Sequence, residues 1–457
     1  MTVLDKPPLL LPKADEVWAS LTGPTARKSA VAVVDQGILS ATNFFTGLML
    51  ARLCSKEEFG AYALAFAVMV TANGLQGALV TGPMTVLGAP RVGDDWRRHA
   101  TTMALAQAVL GLGLVVVTCA VSAILLWSGV IGCRLGGVLL AMSGALFFIQ
   151  AQEFCRRILY TRLRAWRVLL NDACCCTAQV AGLLLLWRLG GGSWRAGGQQ
   201  PTPGLLNSAN AFLCLGAGAV AGTMLGLWQV RYDFIGGKLA VTAHLRETWS
   251  FGKWGLISAV AALGYNQSVY YILGAIVGTE GVALFEGPRI VVAPCILIAM
   301  AWSNVVGPIL ASRYAKNGFG DMVRFLKRAS AALMVCVTAI LIIVVAFPHG
   351  LLSLIVGDKY AADTSILLLW CPTVLLICAS TTVGGSFYAT RHPELGTMCR
   401  ALSGILGVIL ILLFTILWGV VGAATGRLLA EAIHALAILF FARNLAIAER
   451  EKVKVNE

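Results

Sequence analysis

Long apolar runs separated by short charged stretches dominate the chain. Six runs fill the first half, near 29–50, 59–80, 101–127, 135–152, 168–187 and 205–228. Six more fill the second, near 254–276, 282–306, 331–347, 364–385, 401–418 and 420–442. A helix needs ~20 apolar residues to cross a hydrocarbon core of ~30 Å, because it rises ~1.5 Å per residue. Lipid offers no hydrogen-bond partners, so each crossing must satisfy its own backbone, which a helix does. The pattern predicts an all-α polytopic membrane protein with about twelve transmembrane helices. Only the Gly419–Gly422 stretch divides the last two runs.

Charge tests that count. With both termini in the cytoplasm, 27 of the 35 lysines and arginines fall on the cytoplasmic side. Arg52, Lys56, Arg134, Arg188, Arg195 and Lys359 fall on the other, and Arg289 and Arg427 lie inside spans. Such asymmetry is the expected positive-inside signal. It also changes what the net charge of +13 means. In a soluble protein that value would suggest nucleic acid; here the basic residues sit in short loops, so membrane lipids are the expected partner and nucleic acid is not. The chain is 58% hydrophobic and 12% charged, with mean hydropathy +0.80. A soluble domain carries roughly 25% charge.

The expected organisation is a cytoplasmic tail over 1–28, a six-helix lobe over 29–230, a cytoplasmic linker over 231–253, a second lobe over 254–442 and a cytoplasmic tail over 443–457. Asp5, Asp15 and Glu16 argue against a cleavable signal peptide at the start. The Gly- and Pro-rich stretch 188–204 reads as an external loop. A weak internal repeat agrees with two halves: Asn43 precedes Glu57, and Asn266 precedes Glu280, by the same interval, and Gly82-Pro83 matches Gly307-Pro308. The thirteen cysteines include no CxxC pair and lie mostly in apolar runs. They read as reduced, small apolar residues; no metal or cofactor is expected.

Polar residues inside spans mark the candidate chemistry. On the first helix, Gln36, Ser40, Asn43 and Gly47 share one face, with Asp35, Thr42 and Thr46 in an adjoining stripe. That face suits either a water-filled cavity or a packed polar interface. The second helix adds Asn73 and Gln76, and the seventh adds Asn266 and Tyr270. Charges at mid-bilayer cost ~2.5–3.5 kcal/mol on insertion scales, so each needs a reason. Asp35 has no partner nearby in sequence. Glu286 and Arg289 are spaced i, i+3, as a self-neutralising pair or as a base for an anionic substrate. Gly287-Pro288 should loosen the turn before Arg289. Arg427 and Glu431, at i, i+4, read as a structural pair. The basic stretch Arg156 to Arg167 reads as a segment lying on anionic headgroups. No HExxH, P-loop or GxSxG occurs and no external loop is large, so an enzyme is not expected.

The stretch DQGILSATNFFTGLMLARLCSKEEFGAYALA, from Asp35 to Ala65, resembles the opening of the polysaccharide transporter family, chiefly through its ARL…EEFG…A element. IVGDKYAAD, from Ile355 to Asp363, and GVVGAATG, from Gly419 to Gly426, resemble that family's C-terminal half. The family holds O-antigen and exopolysaccharide flippases of the multidrug/oligosaccharidyl-lipid/polysaccharide superfamily. The resemblance implies two pseudo-symmetric six-helix bundles around a central cavity lined by helices 1, 2, 7 and 8. It implies a polyprenyl-pyrophosphate-linked oligosaccharide as cargo, moved by alternating access across a bacterial inner membrane, with glycan polymerase or export machinery as partner. On this basis Arg289 would meet the pyrophosphate. The alternatives are an H⁺- or Na⁺-coupled multidrug or toxin exporter of the same superfamily, with Asp35 carrying the ion, and an integral-membrane glycosyltransferase or polymerase.

Overall fold

The structure is a computed structural model that describes residues 24–190, 205–234 and 241–456. Most of the tail, most of the 188–204 loop and part of the 231–253 linker lie outside the described residues. The described residues form helices joined by short turns, with no strand among them. They are α1 (Pro24–Leu53), α2 (Lys56–Gly88), α3 (Gly93–Trp127), α4 (Cys133–Thr161), α5 (Ala165–Leu189), α6 (Ser208–Val230), α7 (Val241–Ile276), α8 (Thr279–Ala346), α9 (Pro348–Ile355), α10 (Thr364–Ala389) and α11 (Pro393–Asn456). Eight of these are long and apolar enough to cross a membrane.

A 68-residue helix would be roughly 100 Å long, about three times the hydrocarbon core. Both long helices are in fact broken. Gly318 (φ 77°) interrupts α8, and Trp418 and Gly419 (φ 58°) interrupt α11. Each therefore contributes two segments, near the hydropathy boundaries. The reversal in α11 explains the glycines of GVVGAATG. A Cβ on Gly426 would lie 2.8 Å from the Ile411 Cα, so the two halves pack backbone to backbone.

Pro288, Pro294 and Pro308 leave α8 unbroken. The expected loosening at Gly287-Pro288 does not occur, because the site is locked by packing: Pro288 is buried, and a Cβ on Gly287 would sit 2.7 Å from the Tyr360 ring. In α2 the residues before Gly82-Pro83 widen into a π-helical turn, Gly77–Thr81, where the matching Gly307-Pro308 of α8 stays regular.

Two bundles result. In the first, α4 packs on α3 and α6, α5 on α6, and α1 on α5. In the second, α10 packs on α8 and α11, and α7 on α11. They meet along α2, which lies against α7 and α8. Along that seam Gly74 sits under Leu263 and Gly274 under Leu64, while Tyr271 Oη lies 2.6 Å from Thr71 Oγ1. Away from the seam, Val109, Leu112, Val116 and Ile124 of α3 and Ile405, Ile409 and Ile416 of α11 are exposed. Apolar faces that size are what a lipid-facing surface requires. All thirteen cysteines are free thiols, eight of them buried.

Candidate functional site

The first cluster of charge is built by α1, α4 and α5. Arg156 Nε donates to Asp172 Oδ2 at 2.7 Å and Nη2 to Asp35 Oδ2 at 3.3 Å; Nη1 pairs with Glu153. Tyr160 Oη donates to Asp35 at 2.6 Å, and Gln152 donates to both Asp172 (2.7 Å) and Asn171 (3.0 Å). Asp35 and Asp172 are 1% and 0% exposed. One expectation is corrected here: Arg156 does not lie on headgroups, because α4 runs on to Thr161 and turns it into the bundle. Asp35, without a partner nearby in sequence, finds its partners 121 and 125 residues away in the chain. Of this hub the sequence marked only Asp35; the signal for the rest was the Glu153–Arg156–Arg157 spacing, which places the three on one stretch of helix.

The first-helix face divides differently from its polar pattern. Thr42 and Thr46 are buried with Asp35 against α5, where Gln179 Nε2 donates to Thr46 Oγ1 at 3.0 Å. Gln36 and Asn43 are exposed and Ser40 is half-buried. Gln36, Ser40 and Asn43 make no hydrogen bond with another described side chain.

Gln76 is fully buried, donating to Gln107 Oε1 at 2.9 Å and the Gln150 carbonyl at 2.7 Å, and so ties α2 to α3 and α4. Asn73, one turn earlier, lines a cleft of about 400 Å³ between α2, α4 and α7, with Thr81, Gln152, Glu153 and Arg157. Asn266 is exposed and bonds back to the Ala262 carbonyl of its own helix.

On α7 and α8, Tyr270 Oη donates to Glu286 Oε2 at 2.7 Å, and Arg289 Nε donates to the same oxygen at 2.7 Å. The i, i+3 pair is therefore made. Arg289 nevertheless keeps 34% of its side chain open, against 12% for Arg156 and 10% for Arg427. Arg427 pairs with Glu431 at 2.5 Å and donates to the Tyr265 carbonyl, as its spacing suggested.

The motif segments meet at one rim of the seam. Ser55 caps α2 by accepting from the Glu58 N–H at 3.2 Å. Glu58 accepts from the Ser208 N–H at 3.0 Å and pairs with Arg134 at 3.2 Å. Gly60 lies against the Thr279 backbone at the start of α8, and Phe59 packs edge-on against Tyr360. From the other bundle, Lys359 donates to the Cys54 carbonyl and Asp363 pairs with Lys56 at 3.3 Å, while Arg52 of α1 donates to the Leu354 carbonyl across the seam. The Lys56 and Lys359 ammoniums lie 5.4 and 5.5 Å from the Tyr360 ring centre. Burial lowers the Lys359 pKa to about 8, with Lys56 adding repulsion. SKEEFG and IVGDKYAAD, some 300 residues apart, are thus two sides of one contact between the bundles.

This arrangement can be compared with known proteins. A multidrug resistance MATE family transporter of the MOP superfamily, in an inward-facing conformation, overlays with a TM-score of 0.72 at 14% identity, covering 90% of this chain and 95% of that one. The fold is that of this transporter. The lipid II flippase MurJ, in an inward closed conformation, gives 0.71 at 14% identity, covering 92% of this chain and 87% of that one. By sequence, the chain is 20% identical over 242 residues to the "Probable low-salt glycan biosynthesis flippase Agl15" of Haloferax volcanii, covering 53% of this chain and 51% of that protein. The match therefore spans about half the length of that curated relative. No family model matches. With eight helices long and apolar enough to cross a membrane among the described residues, the chain is a multi-pass membrane protein.

Proposed function

We propose that this chain is a flippase that moves a polyprenyl-pyrophosphate-linked oligosaccharide across the cytoplasmic membrane by alternating access. On this reading the chain crosses twelve times with both termini in the cytoplasm, as the basic loops favour. The rim formed by Cys54, Lys359 and Asp363 then faces outward and is closed. A sugar headgroup cannot cross hydrocarbon, so it needs a polar path, whereas its lipid tail can remain in the bilayer. Partners in glycan polymerisation or export fit the same cargo.

One observation carries the cargo assignment: Arg289 alone of the three arginines above keeps a third of its side chain open. Glu286 and Tyr270 orient it and spend only part of its donor fork. Two guanidinium nitrogens on one phosphate give the bidentate grip that a lysine lacks. The glycan-flippase relative and the lipid II flippase supply the class of cargo. The test is glycan export in a strain lacking its own flippase. Arg289→Ala should abolish export while the protein accumulates, and Arg289→Lys should keep part of it. Full export from Glu286→Gln combined with Arg289→Gln would reject phosphate binding and leave Arg289 a structural partner.

The second reading, an ion-coupled drug or toxin exporter, is favoured by the acidic hub and the MATE neighbour. Three carboxylates, Asp35, Glu153 and Asp172, surround Arg156. For Asp35 to carry a coupling ion, Arg156 would have to leave it. Efflux of cationic drugs without glycan export would support this reading over the first.

A further inference from the structure

A second cavity lies within the second bundle, apart from the seam contacts. The segment of α8 after Gly318, the end of α10 and the last part of α11 leave a groove of about 430 Å³. Phe319, Met322, Leu326, Val383 and Leu439 form its apolar walls. Two serine hydroxyls, those of Ser330 and Ser386, are set among these apolar walls. Ser386 donates to its own helix at the Val383 carbonyl (2.7 Å), and the buried Ser330 Oγ has no partner among the described residues. Two cations complete the lining, Lys327 from α8 and Arg443 from α11. Both are exposed, and neither makes an ion pair among the described residues. Their neighbours differ: Arg313 and Arg324 are both taken up by Asp321, at 2.9 and 3.6 Å.

An apolar slot beside two unpaired cations matches a molecule with an anionic head joined to a hydrocarbon chain. A free sugar would leave its hydroxyls unpaired against Phe319 and Leu439. A zwitterionic lipid would bring its own cation against Lys327 and Arg443. We propose that this groove binds an anionic phospholipid, its phosphate between Lys327 and Arg443 and one acyl chain along Met322, Leu326 and Leu439. Only the choice of leaflet rests on the proposed topology, which puts the basic 313–328 and 443–454 stretches in the cytoplasm, where anionic lipid and basic residues attract.

Native mass spectrometry of the purified full chain tests this without reference to transport. The protein is titrated with phosphatidylglycerol and, separately, with phosphatidylcholine of the same acyl chains. The wild type should retain phosphatidylglycerol in clear preference. Lys327→Gln with Arg443→Gln should weaken that lipid about thirtyfold and leave phosphatidylcholine unchanged. Each single change, which only neutralises an exposed side chain, should weaken it about fivefold. Ala442→Phe, which fills the groove and keeps both cations, should weaken phosphatidylglycerol as well. Equal retention of the two lipids by the wild type, or wild-type phosphatidylglycerol binding by the double variant, would overturn the site. Displacement by inorganic phosphate alone would overturn the acyl-chain half, and tighter binding of a polyprenyl phosphate would reassign the groove to the cargo.

Discussion

Gly60→Ala is the sharpest single test of how the two bundles move. Gly60 sits in the EEFG element of α2, facing the first turn of α8 across the seam. An added Cβ would lie 2.6 Å from the Thr279 carbonyl carbon and 3.1 Å from the Ala283 nitrogen, with the Thr279 oxygen closer still. These are backbone atoms, so no rotamer change can relieve the clash; α2 and α8 must part. Forcing a methyl into such a contact costs about 1–3 kcal/mol. If the seam at this rim closes in one transport state and opens in the other, that cost falls on the closed state alone. The closed-to-open ratio should then fall about 5- to 150-fold. Gly113 of α3 has nothing within 4 Å of its Cβ position, so Gly113→Ala is the matched control. Spin labels at positions 133 and 349, in a background free of other cysteines, would report the distance between the bundles by double electron–electron resonance. Gly60→Ala should enlarge the long-distance population and slow export; Gly113→Ala should do neither. A distance distribution and export rate identical to wild type in Gly60→Ala would refute a closing seam.

Three further outcomes follow from particular contacts. Arg156→Leu strands Asp35, Glu153 and Asp172 and should destabilise the protein by about 3–5 kcal/mol, seen as a lower unfolding temperature in detergent. Arg156→Lys should recover part of the loss, and a leucine variant as stable as wild type would remove the hub. Lys359 is held near pKa 8, below the usual 10.5, so between those values the unfolded chain binds the extra proton. Stability should therefore rise with pH from about 8 to 10.5, by on the order of 3 kcal/mol, and Lys359→Met should flatten the profile; parallel profiles would contradict the assignment. Cysteine at position 43 should react with a polar thiol reagent, while cysteine at 46, buried against Gln179, should not. Similar rates at both would sink the division of the first-helix face.

Arg427 and Glu431 were legible because helical spacing alone places i and i+4 side by side. The breaks at Gly318 and Gly419 fall where hydropathy lapses and a glycine can take a positive φ. Gln76 and Asn73, three residues apart with the same chemistry, were not separable. Which one ties three helices together and which lines a cleft depends on α3 and α4, and the sequence of α2 carries no trace of their position. Gly287-Pro288 misled for a related reason. Proline's local effect is real, but Tyr360, packed from a turn about 70 residues further along the chain, holds it.

What the sequence determined by itself is the membrane class, the helices and the charge asymmetry, because each follows from local periodicity and from the free energy of moving one segment into lipid. The motif segments also announced themselves in sequence, without saying why they exist. Only the tertiary structure decided that Lys359, Tyr360 and Asp363 close on Cys54, Lys56 and Phe59, and that Asp35 is neutralised by Arg156. Those are pairings between distant residues. Their energies depend on which helices the fold brings within a few ångströms and on how far water is excluded there, and neither is written in the spacing along one chain.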